Sequence, residues 1–67
     1  MMTLGQAAAA YPVGSTLRYG SNHCARVVRH YRHEKDTLVY VVVEDEHGAE
    51  LHWAVDMLAS SGVTVER

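Results

Sequence analysis

Cysteine is nearly absent from the sequence, because Cys24 is the single cysteine among 67 residues and no internal disulfide can form. The CxxC and HExxH metal patterns are missing, and so are a glycine-rich phosphate loop and a defensible Ser/His/Asp spacing. Apolar runs are too short for a membrane span, and no export signal is found. A single cysteine without an export signal predicts a cytoplasmic protein.

Charge is unevenly distributed along the chain. Five bases and one acid lie between Arg18 and Lys35, whereas seven acids and one base follow from Asp36 onward. A sequence-independent nucleic-acid binder needs clustered bases, and the acidic half opposes that field. Nucleic-acid binding is therefore only an alternative, through Arg18, Arg26, Arg29 and Arg32.

Turn residues and β-branched runs predict one small domain of five strands. We expect residues 1–10 to be a flexible N-terminal tail or a short helical turn, and residues 11–67 to form the domain. The clearest strand signal is the Val-rich run 37–43. The predicted strands are 16–19, 24–31, 37–44, 49–54 and 63–65, with a helical turn at 55–59 before the last strand.

This order of elements, entered through Val13-Gly14, is similar to that of the Src-homology-3-like barrels. The resemblance covers nearly everything after Ala10 and rests on turns and apolar positions. It implies an all-β fold: a small five-stranded barrel with one short helical turn before the last strand.

The central hairpin, with strands 24–31 and 37–44, is predicted to be apolar on both faces. A four-residue loop 33–36 would put Arg32 opposite Thr37. One face then carries Val28, Val39, Val41 and Val43, and the other carries Val27, Tyr31, Leu38, Tyr40 and Val42. Either a bulge or bend in the long second strand exchanges the faces, or a second copy of the chain covers the outer one.

Aromatic side chains are the candidate ligand or partner surface, because barrels of this class often bind through them. Trp53 shares a face with Leu51, which favours a core position, while Glu50 and His52 lie on the opposite face and are exposed. The candidate surface comprises Tyr31, Tyr40, Glu50, His52 and Trp53.

Five histidines invite a metal hypothesis, with His23, Cys24 and His47 as candidate ligands, but solvated loop histidines are the usual case and we expect no metal. Cys24 and its neighbour His23 point to opposite faces of a strand, so they form no nucleophile–base pair. The acidic run 44–46 indicates a solvated corner. We therefore expect no catalytic residue.

The stretch 49–58 resembles the final strand and helical turn of the plasmid-encoded, trimethoprim-resistant dihydrofolate reductases, which use this barrel as a tetramer. Their Val-Gln-Ile-Tyr motif binds cofactor and substrate around a central pore. Glu50, Leu51, His52 and Trp53 stand at the matching positions, and an acid there repels an anionic cofactor. The resemblance implies a fold and an oligomer without that cofactor.

The function that the sequence favours is a non-enzymatic binding or accessory module of bacterial or mobile-element origin. We expect it to act through barrel-surface aromatics, with a protein partner or a further copy of itself, and without a cofactor or a membrane. An oligomeric small-ligand or reductase-like pore is the second hypothesis, and a weak nucleic-acid-binding barrel is the third.

Overall fold

The computed structural model describes residues 2–66, so Met1 and Arg67, which the predicted segments 1–10 and 11–67 include, lie outside the described residues. The elements are α1 (Leu4–Ala10), β1 (Thr16–Tyr19), β2 (His23–Arg32), β3 (Val39–Asp45), β4 (Glu50–Ala54), α2 (Val55–Ser60) and β5 (Thr64–Glu66). The predicted five strands and the short helix before the last are confirmed, and with α1 and α2 the fold is mostly β where an all-β fold was predicted. No helix within residues 2–66 is long and apolar enough to cross a membrane.

The five strands form one antiparallel sheet in the order β4-β3-β2-β1-β5. β1 lies between β2 and β5, so the last strand of the chain returns to pair with the first. β4 and β5 are the two edge strands, and α2 connects them.

The N-terminal segment folds as helix α1. Thr3 caps it: its side chain accepts a hydrogen bond from the Gln6 backbone, and the Gln6 side chain accepts one from the Thr3 backbone. Ala7 is fully buried, and α1 packs against β2 and β3. Leu4–Ala10 is thus helical in the structure.

The predicted register of the β2–β3 hairpin is wrong by two positions on β3. Arg32 pairs with Val39 instead of Thr37, and the loop spans six residues, 33–38. The cause is local: Asp36 Oδ1 accepts a hydrogen bond of 2.9 Å from the Leu38 backbone, and Thr37 has a positive φ of 59°. Both features extend the turn through Leu38, because a residue at that φ cannot continue a strand.

A bulge in β2 changes which side chains share a face. The ladder shifts between Val27 and Arg29, which pair with the consecutive residues Val43 and Val42, so Val28 is the additional residue. Val27 consequently lies in the core with Val43, and its predicted place beside Val42 is wrong. Of the two explanations offered for an apolar second face, the structure contains the bulge.

One hydrophobic core lies on the inner face of the sheet. Val39, Val41 and Val43 of β3 are its centre, and Leu17 and Val55 are also buried there. Both edge strands contribute, because Leu51 and Trp53 of β4 and Val65 of β5 pack against this cluster. The predicted inward direction of Leu51 and of Leu58 in α2 is confirmed.

Candidate functional site

The outer face of β2–β4 carries a group of polar and aromatic side chains that are linked to one another. The register aligns Arg29, Val42 and His52 in one row and Tyr31, Tyr40 and Ala54 in the next. Alternation along β4 adds Glu50 to the same face as His52. We call this surface the outer face and define it by Arg29, Tyr31, Tyr40, Val42, Glu50 and His52.

A chain of hydrogen bonds crosses the outer face from Arg29 to Tyr31. Both guanidinium ends of Arg29 donate to Glu50, at 3.1 and 3.3 Å, in a forked pair. Glu50 Oε1 also lies 3.2 Å from His52 Nε2, and His52 Nδ1 lies 2.8 Å from the Tyr31 hydroxyl. A carboxylate can only accept, so Nε2 donates, and in a neutral ring Nδ1 then accepts from Tyr31.

The Arg29 fork also fixes the charge of its partner. Hydrogen bonds from Arg29 and then from His52 hold the pKa of the Glu50 carboxyl below its ordinary value. The same bond to Glu50 raises the pKa of Arg29. The outer face therefore presents a fixed pair of opposite charges at neutral pH.

Two stacked tyrosines form the other part of the outer face. The rings of Tyr31 and Tyr40 lie 5.4 Å apart with an angle of 11° between their planes. The Tyr40 hydroxyl donates a hydrogen bond of 2.9 Å to Asp36 Oδ2, and this bond raises the pKa of Tyr40. Both rings are half-buried and held in place, so little entropy remains to be lost when they contact a partner.

Val42 shows that these links cover apolar surface. It is fully buried, yet it does not belong to the inner core cluster. The Arg29–Glu50 and Tyr31–His52 links both cross β3, one on each side of Val42. The outer face thus has an apolar centre beneath a polar and aromatic cover.

The structure brings together four of the five candidate surface residues: Tyr31, Tyr40, Glu50 and His52. Trp53 lies on the opposite side of β4, half-buried against the core, where its ring meets the Tyr19 ring edge-to-face at 5.0 Å. Trp53 therefore packs against the core, as the sequence favoured, and it also lines a cleft beside α2.

The four candidate nucleic-acid arginines do not form one free basic surface. Arg18 is paired with Glu66, and Arg29 with Glu50. Arg26 is exposed opposite Glu44, and Arg32 is exposed at the end of β2. Acids next to three of these bases weaken the field that phosphates would meet.

The candidate metal residues are occupied in other ways. His23 stacks on Tyr19, and its Nδ1 lies 3.2 Å from Glu46 Oε1. His47 is an exposed turn residue whose backbone N–H donates to Asp45, and Cys24 is half-buried. Across residues 2–66, no three His, Cys, Asp or Glu side chains are grouped so that they could hold a metal ion.

Sequence reasoning missed three residues that organise this region. Arg29 was proposed to contact phosphate, whereas it pairs with Glu50. The separation of bases and acids along the chain was the available signal for such a pair. Asp36 fixes both the loop and Tyr40, whereas the polar run 33–36 indicated only a loop. Tyr19 contacts both Trp53 and His23, which its place in a short strand did not indicate.

Comparison with known proteins gave no relatives. A scan against protein-family models, a search of the curated proteins and a search of the solved structures each found no match to this chain.

Proposed function

We propose that the protein is a small non-enzymatic binding module that acts through its outer face, and that a second copy of the chain occupies this face. The observation that carries the proposal is the stacked, half-buried pair Tyr31 and Tyr40, held beside the exposed Arg29–Glu50 pair on a face away from the core. Fixed aromatics around a dry centre are typical of interfaces, in which such residues supply most of the binding energy.

The placement of charge supports a second copy as the occupant. The register row next to the outer face extends it with Arg26 and Glu44, so that the bases of this side lie on β2, at Arg26 and Arg29, and the acids lie on β3 and β4, at Glu44 and Glu50. A two-fold axis parallel to β3 would place β2 of one copy over β4 of the other. Arg26, at the level of Glu44 and Glu50 in the register, would then face Glu50 of the second copy. Arg26 and Glu50 are therefore complementary to each other across this axis.

A charge-exchange experiment tests this arrangement. Arg26→Glu alone and Glu50→Arg alone each put like charges together twice in a two-fold dimer, so we expect each variant to be monomeric in sedimentation velocity. An equimolar mixture of the two pairs opposite charges at both contacts, and we expect it to form the heterodimer. Arg26 has no ion pair with Glu50 inside the chain, so only contact between chains explains restoration by mixing.

Arg32→Glu is the matched control, since it makes the same charge change on β2 at a position opposite the core residue Val39. We expect this variant to associate like the parent chain. A parent chain that is monomeric at high micromolar concentration overturns the proposal. A mixture that stays monomeric while Arg32→Glu associates overturns the Arg26–Glu50 contact between copies. If the parent chain binds a short duplex oligonucleotide, and both Arg26→Glu and Arg32→Glu lose this binding, nucleic acid is favoured as the partner instead.

We also propose that the sheet curls into a Src-homology-3-like barrel. The support is the contact between Tyr19 at the end of β1 and Trp53 in β4, two strands that β2 and β3 separate in the sheet. In a flat sheet, three strand spacings would separate them by about 14 Å. Nuclear Overhauser effects between the Tyr19 and Trp53 rings test the curl, and their absence in the folded protein contradicts it.

A further inference from the structure

A cleft of about 310 Å³ opens beside α2, on the side of β4 that faces away from the outer face. Tyr19 of β1, Trp53 of β4 and Met57 of α2 line it, together with Leu58 and Val63. This volume is at the lower end of the range for small-molecule sites and suits one compact group. The cleft shares none of the residues that define the outer face.

Two aromatic rings form a corner in this cleft. The Tyr19 and Trp53 rings meet at 87°, so their faces point in two different directions around the corner. Met57 is 57% exposed and adds a polarizable thioether to the rim. Aromatic faces attract cations through their quadrupole, and tryptophan does so most strongly.

Negative charge lies beside the aromatic corner. His23 stacks on Tyr19 at 5.6 Å, and Glu46 lies 3.2 Å from His23, so this acid is one ring away from the cleft. Asp45 precedes it, and its Oδ1 accepts only from turn backbone N–H groups among the described residues. Burial first, and then the charges of Asp45 and Glu46, raise the pKa of Tyr19. The nearby base Arg18 is neutralised by Glu66.

We propose that this cleft binds a quaternary ammonium group of a small organic cation. Such a group has an apolar methyl surface that fits the cleft walls and a charge that suits both the ring faces and the neighbouring acids. An ordinary ammonium would lose a tightly bound hydration shell on entering, whereas a quaternary one is weakly hydrated and loses less. The proposal is independent of self-association through the outer face.

Choline and its neutral isostere 3,3-dimethyl-1-butanol have nearly the same shape but differ in charge, so comparing their affinities measures the contribution of the positive charge to binding. Trp53 is the single tryptophan, so both its fluorescence and its indole N–H resonance report on the cleft. We expect choline to shift the indole resonance saturably and to bind about tenfold more tightly than the isostere. Equal affinities, or no saturable shift with choline, overturn the proposal.

Glu46→Gln tests the negative charge behind His23, and Glu34→Gln is the matched control in the loop at the far end of β2. We expect Glu46→Gln to weaken choline about twofold to threefold, because exposed charges are partly screened, and to leave the isostere unchanged. Glu34→Gln should alter neither. Met57→Lys adds a cation at an exposed position of α2, and we expect it to abolish choline binding in a folded chain; undiminished binding contradicts the site.

Discussion

The Tyr31 hydroxyl of β2 reaches across β3 to within 2.8 Å of His52 Nδ1 in β4. A side-chain bond between strands that are not neighbours requires both side chains to lie flat over the strand between them. Val42 is the residue of β3 that pairs with Arg29 and His52, and it is buried as a result. The order of the outer face therefore depends on this bond and on the parallel one between Arg29 and Glu50.

Tyr31→Phe removes the hydroxyl and keeps the ring that stacks on Tyr40. We expect it to lower the free energy of unfolding by about 0.5 to 1.5 kcal/mol, because one hydrogen bond is lost at a partly exposed site. Urea denaturation measures the change. Tyr11→Phe is the control, since the Tyr11 hydroxyl makes no hydrogen bond within residues 2–66, and we expect it to leave the free energy of unfolding nearly unchanged. A loss equal to that of Tyr11→Phe would show that the bond to His52 contributes nothing.

Val41→Ala and Val42→Ala compare the two sides of β3 at adjacent, fully buried residues. We expect Val41→Ala to cost about 2 to 3 kcal/mol, because the packed inner core cannot collapse into the space. We expect Val42→Ala to cost about half as much, since long side chains above it can settle. Denaturant unfolding of monomeric samples distinguishes them. Equal costs would mean that the outer cover is as rigid as the core.

The sequence was sufficient for the elements of the fold because their signals are local. Gly and Asn turns, the Val-rich run of β3 and the alternation in β4 each predict a strand or its end without reference to the rest of the chain. The register of β2 against β3 was not predictable in this way. It depends on Asp36 capping the loop and on Val28 bulging, and a shift of one residue exchanges the faces.

The candidate surface was partly predictable for a similar reason. Alternation alone placed Glu50 and His52 on one face of β4 and Trp53 on the other. The grouping of Tyr31 with Tyr40 needed only strand pairing, and the two do pair. The link from Arg29 to Glu50 was indicated only in general terms, by the separation of bases and acids along the chain. Nothing local indicated the contact of Tyr19 with Trp53, because both interactions join residues across one or more intervening strands.

Thr37→Gly should stabilise the protein. Thr37 is a β-branched residue at a φ of 59°, where its Cβ is crowded and glycine is not. We expect the free energy of unfolding to rise by about 0.5 to 1 kcal/mol, the relief of strain being partly offset by the greater entropy of unfolded glycine. Thermal unfolding checks it. Thr64→Gly, in strand β5, is the control and should destabilise; a Thr37→Gly variant that also destabilises would contradict the strain.

The acid sensitivity of the fold should depend in part on Asp36. The hydrogen bond from the Leu38 backbone first, together with that from Tyr40 and the nearby His33, holds the pKa of Asp36 below its ordinary value of 3.8. A lowered folded pKa means that unfolding is favoured by proton uptake, so the stabilisation is complete above the unfolded pKa and disappears as pH falls through the folded one. The pKa of Glu50 is also lowered in the folded protein, so Glu50 likewise stabilises the fold above its unfolded pKa and loses this effect in acid.

Asp36→Asn keeps an oxygen that can accept the hydrogen bond from the Leu38 backbone, puts a donor NH2 where Asp36 Oδ2 accepts from Tyr40, and removes the titration. We expect the variant to have a lower melting temperature than the parent at pH 7, and the two melting temperatures to converge as pH falls from about 5 to 2. Glu34→Gln neutralises a neighbouring exposed acid, and its melting temperature should stay parallel to that of the parent across this pH range. If the melting temperature of Asp36→Asn also stays parallel to that of the parent, the ionised form of Asp36 does not stabilise the loop. The variant should still lose some stability in acid, because Glu50 still titrates.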